Sequence, residues 1–403
     1  MKKLALHWQI LISLVFAIIF GVFFKEQIRY VEWMGTIFMR ALKMMIIPLI
    51  LSSIISGIAN NGSAGSLGKL TLKTFGYYIL TSTLAILTGL LLVNVLKPGV
   101  GANLGLAQKV EGINATKETF SDTLINIIPT NIFQAFIDNQ MLSIIFFAIL
   151  FGFFITKIDK KQSEFLTDIV NSVFEVMMKI TMFVIKFTPF GVFGIVAVQV
   201  GKSSDIVEMA IGLGKFMMTV SIALLIHAFI SLPIIGKFIG KIKPFRHFKN
   251  MSTPLLTAFS TSSSSATLPI TMEAVEYNSG VSNKISSFTL PLGATVNMDG
   301  TALYECIAAM FIAQAYGVDL SIFQQFIVVI TALLTSIGAA GIPMASLVMI
   351  TVILTQVGLP LEGVGLILAV DRPLDMLRTA TNVWSDSCGA VIIAKSEGEE
   401  ILV

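Results

Sequence analysis

From Leu320 to Leu361 the chain runs for 42 residues without a charged side chain, about twice the roughly 20 apolar residues that one helical membrane crossing takes. The centre of that run, SIGAAGIPMAS from Ser336 to Ser346, cannot continue a helix, because glycine weakens one and Pro343 removes a backbone donor. The stretch therefore reads as two helical arms meeting at a non-helical tip. Irregular backbone survives at membrane depth only inside protein or beside water. Met251 to Met272 repeats the plan, uncharged, with a run of hydroxyl residues at its centre ending in Pro269. Each interrupted segment precedes a helix with unusual polar residues: Asn297-Met298-Asp299 after the first, Asn382 and Asp386 after the second. Paired broken apolar segments in corresponding halves point to a transporter site near the bilayer midplane.

The rest of the chain fits a polytopic helical bundle. Of its 403 residues 55% are hydrophobic and 13% charged, against about 25% charged in soluble domains. The apolar pattern predicts helices near 8–25, 33–59, 71–96, 138–157, 164–199 and 206–236, and a last one over about 362–396. Residues 97–137, rich in Gly, Asn and charge, read as an extracellular, partly ordered connection. Basic residues gather in short loops: Lys2 and Lys3, Lys69 and Lys73, Lys157, Lys160 and Lys161, then Lys237, Lys241, Lys243, Arg246 and Lys249. The positive-inside rule makes these loops and the N-terminus cytoplasmic. A net charge of +3 without an aromatic-interleaved basic patch excludes a nucleic-acid partner. The first apolar segment lacks a cleavage site and reads as a retained helix. Cys306 and Cys388 have no metal-ligand spacing and read as packing residues. His227 reads as a packed, hydrogen-bonded residue; no role is assigned to it, to His7 or to His247.

Asp371, Asp375, Arg378, Asn382 and Asp386 recur at steps of four, three, four and four and share one helical face. Each ionisable group at the bilayer centre costs about 2.5–3.5 kcal/mol, so a stripe of four facing lipid would cost on the order of 10 kcal/mol. The stripe must face a polar interior. Three acids here, with Asp299 from the preceding helix, exceed what one arginine neutralises, and surplus carboxylates in a membrane interior meet cations from solution. Arg378 presents a planar fork for a carboxylate, and Asp375 one turn earlier accepts an ammonium. Together they complement an acidic amino acid. Exposed N–H groups at the broken tips attract carboxylates, and unwound carbonyls bind cations. An intramembrane serine protease is excluded because no histidine or lysine is placed beside the serine run. A channel fits poorly, since paired broken helices with a charged stripe form an occluding site rather than a continuous pore.

STSSSSATLP, NMDGTALYE, SIGAAGIP and the DxxxDxxRTxxNxxxD pattern of the last helix, in this order, resemble the dicarboxylate/amino acid:cation symporter family, which includes excitatory amino acid transporters and archaeal aspartate transporters. The resemblance covers nearly the whole chain. It implies an all-α membrane protein with eight transmembrane helices, two re-entrant hairpins (245–281 and 320–360) and inverted repeats, assembled as a homotrimer and working as an elevator. Residues 1–70 and 97–200 would form the fixed scaffold, and 71–96 with 201–403 the moving transport domain. The implied activity is sodium-coupled symport of L-glutamate or L-aspartate across a prokaryotic inner membrane, with both termini cytoplasmic. Carriers of C4-dicarboxylates or of neutral amino acids are the alternatives within the family.

Carried over by the resemblance, Ser264 and Asn382 would meet the substrate's main-chain carboxylate, Asp375 and Thr379 its amino group, and Arg378 and Thr301 its side-chain carboxylate. Backbone carbonyls at Ser262 and Ile342 would help hold the amino group. One sodium would use Gly293, Asn297, Asn382 and Asp386. A second would use Tyr78, Thr81, Ser82, Asn297 and Asp299, and a third the backbones of Thr295, Ser336, Ile337 and Ala339. Glu305, at a position where the animal glutamate carriers also have glutamate, would carry a co-transported proton. Family members often have a second arginine where Ser262 or Met376 stands here; Arg372 lies one turn from Met376. Ser346 replaces a usual glycine.

Overall fold

The computed structural model describes residues 6–61, 68–102, 125, 127–138, 140–202, 206–336 and 346–403. Among them every regular element is helical. Among the described residues three helices are long and apolar enough to cross a membrane, Glu32–Asn60, Lys69–Leu96 and Val207–Phe238. Large apolar side chains such as Phe16, Leu72, Leu91 and Val95 are exposed, as a surface solvated by lipid requires.

Helices α1 (Leu6–Phe23), α2 (Glu32–Asn61) and α3 (Gly68–Leu96) follow the apolar pattern closely. A short helix α4 (Ile132–Ile137), capped by the Asn131 side chain, lies within the expected 97–137 connection, most of which falls outside the described residues. Then come α5 (Met141–Ile155), α6 (Lys160–Ile185) and α7 (Thr188–Lys202). The single helix expected over 164–199 is thus two, meeting at 52°. Pro189 explains the break, because it has no N–H to donate to the Ile185 carbonyl and sits well in the first turn of a new helix. Helix α7 packs against α1 and α2, and a Cβ on Gly194 would sit 2.5 Å from the backbone nitrogen of Gly35, so only glycine allows this approach.

The helix expected over 206–236 is α8 (Ile206–Ile226) and α9 (Leu232–Phe238), joined through a π-helical turn, His227–Ser231. The first interrupted segment is three helices, α10 (Pro244–Asn250), α11 (Ser252–Thr261) and α12 (Ser264–Glu273). Next stand α13 (Asn283–Val296) and α14 (Asp299–Ala315). The second interrupted segment is α15 (Ile322–Ser336) and α16 (Ser346–Gln356), packed on each other, with the tip outside the described residues. Helix α17 (Val364–Ser396) closes the chain; its 33 residues reach roughly 50 Å at 1.5 Å per residue. Helix α17 packs on α11, α13 and α14, and α14 on α3, so α14 is buried almost throughout.

His247, on α10 outside the membrane-length helices, is buried between Ser279 and Ser387, 2.9 and 3.1 Å from their hydroxyls. Burial lowers its imidazole from 6.5 to about 4. Its contribution to stability is therefore whole above pH 6.5 and is lost as pH falls toward 4. At the far end of α17, the Lys73 ammonium holds the exposed Glu397 carboxyl below the usual carboxylate range.

Candidate functional site

Two helices come apart at the same place that α17 brings its polar stripe. Between α13 and α14 the backbone unwinds at Asn297 and Met298 (φ −99°, −112°). Sequence reading placed Asn297 and Asp299 on one helix; the break frees the Gly300 amide that follows it for another partner. The amide N–H of Gly300 donates to Asn382 Oδ1 of α17 at 2.8 Å, and Asn382 Nδ2 donates to Thr301 at 3.2 Å. Between α11 and α12, Ser262 turns through the left-handed region (φ 51°) and Ser263 caps α12 by accepting from the Ala266 amide at 3.2 Å. Ser262 and Ser264 are both buried there, at a helix N-terminus with amides available to an anion.

Asp299 is fully buried and heavily partnered. Ser82 donates to its Oδ1 and Ser385 to its Oδ2, each at 2.6 Å; Thr81 lies 3.3 Å from Oδ1 and also from Asn297 Oδ1; His227 Nε2 is 3.0 Å from Oδ2. Asn297 Nδ2 in turn donates to Ser385 at 3.0 Å and to Asp386 Oδ1 at 2.9 Å. A Cβ on Gly293 would lie 2.5 Å from Asp386 Oδ1 and 2.9 Å from the Tyr78 hydroxyl, so glycine is required for these groups to converge. Tyr78 itself donates to the Thr289 carbonyl at 2.7 Å. The structure thus gathers Gly293, Asn297, Asp386, Tyr78, Thr81, Ser82 and Asp299 around the break, with Asn382 beside it. Asp299 is bonded by three hydroxyls and a histidine nitrogen, and Asp386 by the Asn297 amide, with the Tyr78 hydroxyl close by. Among the described residues no group of three or more His, Cys, Asp and Glu forms a metal site. A donor set with one carboxylate and several neutral hard oxygens suits a monovalent hard cation.

Arg378, 1% exposed, is built differently. Its Nη2 donates to Asp371 Oδ1 at 3.0 Å and to Asp375 Oδ1 at 2.9 Å, the Tyr304 hydroxyl donates to the same Asp371 oxygen at 2.8 Å, and the guanidinium carbon lies 3.8 Å over the Tyr304 ring. Arg372, about a quarter exposed, reaches Asp375 Oδ2 at 3.4 Å. Among the described residues Arg378 Nε and Nη1, Asp371 Oδ2, Ser262 Oγ and Ser346 Oγ are buried with no hydrogen-bond partner. Unpaired buried polar groups are costly, and an incoming polar ligand would remove that cost. Thr379 is buried on the same helix. Glu305 is fully buried, with Thr335 3.1 Å from one oxygen and, among the described residues, no partner on the other.

Ile337, Ala339 and Ile342 fall outside the described residues. Of the remaining backbone set, Ser336 is buried, Thr295 is exposed, and no hydrogen bond joins them. Sequence reasoning missed Ser385, which precedes Asp386 on the stripe, and gave Asp371 no role beyond its place among the acids of the stripe. His227 is packed and hydrogen-bonded as expected, but its partner is Asp299.

Residues 6–396 match the family described as the sodium:dicarboxylate symporter family. The chain is 38% identical to a proton/sodium-glutamate symport protein of Geobacillus stearothermophilus, covering 99% of this chain and 96% of that one. It is 36% identical to the proton/glutamate-aspartate symporter of Escherichia coli (98% and 93%) and 36% identical to mouse excitatory amino acid transporter 3 (98% and 86%).

Proposed function

Because the chain belongs to the sodium:dicarboxylate symporter family, we propose that it is a secondary transporter that moves L-glutamate or L-aspartate across a membrane together with sodium. The observation that carries this reading is Arg378: a buried guanidinium whose Nη2 is held by Asp371 and Asp375 while, among the described residues, Nε and Nη1 have no partner. A substrate carboxylate would take those donors, and its ammonium would be left beside Asp375. A neutral amino acid would leave the donors unsatisfied. A dicarboxylate without an amino group would be repelled by Asp375. Thr301 would share the side-chain carboxylate with Arg378, and Asn382 beside the break, with Ser264 at the α12 N-terminus, would receive the main-chain carboxylate.

Coupling follows from charge. Asp299, Asp371, Asp375 and Asp386 are buried against one buried guanidinium, and an acidic amino acid adds a further net negative charge. Charges inside the membrane cost about 2.5–3.5 kcal/mol each, so the loaded site is tolerable only when cations arrive with the substrate. Asp386 with Gly293, Asn297 and Asn382 would hold one sodium, and Asp299 with Tyr78, Thr81, Ser82 and Asn297 another. The third set, Thr295, Ser336, Ile337 and Ala339, would form as the α15–α16 tip closes. The names of the bacterial relatives include proton coupling, and Glu305, with one carboxyl oxygen unpartnered, is the residue to carry that proton.

The two interrupted helix pairs act in this reading as re-entrant hairpins in a fold of eight transmembrane helices. The scaffold is 1–70 with 97–200, and the moving domain is 71–96 with 201–403, in a homotrimeric elevator of a prokaryotic inner membrane. The mutual packing of α1, α2, α5, α6 and α7, and of α3 with α14 and α17, supports that division.

The test is uptake of labelled L-aspartate and L-glutamate into proteoliposomes with and without an inward sodium gradient. Sodium-dependent uptake that Arg378→Ala abolishes is expected; sodium-dependent uptake of serine or alanine instead would overturn the substrate. Glu305→Gln should flatten the pH dependence of uptake, and an unchanged pH profile removes Glu305 from proton transport.

A further inference from the structure

Beyond the transport site, one groove has walls and a rim of opposite character. Past the π turn, α9 ends, and the chain folds back: Lys241 adopts a left-handed conformation (φ 52°) and the Ile242 amide donates to the Gly236 carbonyl at 3.1 Å. That turn lays α10 beside the end of α9 and leaves a groove of about 560 Å³ between them, within the roughly 300–1,000 Å³ typical of small-molecule sites. Its wall is apolar, including Phe229, Ile230 and Ile234, which are 42%, 53% and 51% exposed. Its rim is Lys237, Lys243 and Arg246, all exposed. Among the described residues no carboxylate lies within ion-pair distance of these three cations.

The placement identifies the occupant. The apolar wall belongs to the membrane-length helix Val207–Phe238, so it faces acyl chains, and the cations lie where that helix ends and leaves the apolar layer. A water-soluble anion would use the rim and leave the wall wet. A neutral lipid would use the wall and leave three positive charges clustered without counter-charge. An anionic phospholipid satisfies both, one acyl chain along Ile230 and Ile234 and its phosphate among the cations, as basic pockets at a membrane surface do. We propose that this groove is a binding site for an anionic phospholipid. The proposal depends on the chain lying in a membrane and on nothing about what it transports.

The test is native mass spectrometry of the full-length protein in detergent, offered phosphatidylglycerol or phosphatidylcholine with identical acyl chains. The wild type should retain phosphatidylglycerol in preference. The triple variant K237Q/K243Q/R246Q should lose that preference, by roughly fivefold for each cation removed, while K160Q/K161Q, which removes two lysines away from the groove, should keep it. Three results would each overturn the site: equal retention of the two lipids by the wild type, an unchanged preference in the triple variant, or displacement of the lipid by inorganic phosphate at comparable concentration.

Discussion

Around Asp299 the partners are two serines, a threonine and a histidine; around Arg378 they are two aspartates and a tyrosine ring. Both clusters are buried and both meet α17, yet they answer a ligand in different ways. A hydroxyl turns from donor to lone pair by rotation about one bond, so a small cation can take the place of the Ser82 and Thr81 hydrogens without any ion pair breaking. An amino acid entering beside Arg378 must draw Asp375 from the guanidinium or share it, because the same Nη2 serves both aspartates. On the proposed reading the Asp299 cluster is therefore ready for a cation, while the Arg378 cluster is closed by its own charges. The leftover donors Nε and Nη1 mark what opens it.

Removing the carboxylate that closes the substrate cluster should have the largest effect. Asp375→Asn deletes the ammonium's charged partner, a loss of about 1.5–3 kcal/mol, so half-saturation for aspartate should rise roughly 10- to 100-fold. The same change removes the repulsion that excludes a C4-dicarboxylate, and succinate should begin to compete with labelled aspartate. Competition assays in proteoliposomes read both. If aspartate affinity falls and succinate still fails to compete, Asp375 is a structural partner of Arg378 and not the selector.

A smaller effect is expected on the other side of the comparison. His227 Nε2 faces Asp299 Oδ2, away from the oxygen that Ser82 and Thr81 approach, so it orients the carboxylate without occupying the cation's position. His227→Ala should raise the sodium half-saturation about tenfold, the lower end expected for a hydrogen bond to a charged group, and His227→Gln, which keeps a donor, should restore most of it. Aspartate affinity at saturating sodium should stay unchanged in both. A loss of aspartate affinity instead would place His227 in the general packing of α14.

How much of this could be read from the sequence follows the same division. The stripe from Asp371 to Asp386 was legible because charge inside an apolar helix has no inexpensive alternative to a polar interior, and the two broken segments were legible because Gly, Pro and Ser runs interrupt apolar pattern. Most site residues, Tyr78, Thr81 and Ser82 above all, were placed by resemblance; their spacing alone is that of an ordinary helix face. Hidden altogether was what depends on tertiary approach. The π turn at His227 rotates α9 relative to α8, and no periodicity signals it. The unwinding at Asn297 and Met298 carries neither glycine nor proline at the break. The bend in 164–199 did carry a signal, Pro189, which the apolar run on both sides concealed.

The smallest effect sharpens the comparison most, because it separates a ligand from a support. Ser82 and Ser385 donate to Asp299 at the same 2.6 Å, but Ser82 touches Oδ1, shared with Thr81, and Ser385 touches Oδ2, shared with His227. If the cation enters on the Oδ1 side, Ser82→Ala removes one of its oxygens, whereas Ser385→Ala removes a hydrogen bond behind the carboxylate and the acceptor of one Asn297 Nδ2 hydrogen bond. Each loses a hydrogen bond to a charged group, about 1.5–3 kcal/mol, and Ser385→Ala loses the Asn297 bond as well, so overall stability should fall further in Ser385→Ala. Sodium half-saturation should rise several-fold in Ser82→Ala, and less in Ser385→Ala. Lithium offers the sharper reading: being smaller, it depends on how closely the oxygens converge, and its ability to replace sodium should change in Ser82→Ala alone. Equal shifts in both variants, for both ions, would mean that the two oxygens of Asp299 are equivalent to the cation and that the hydroxyls serve only to hold the carboxylate in place.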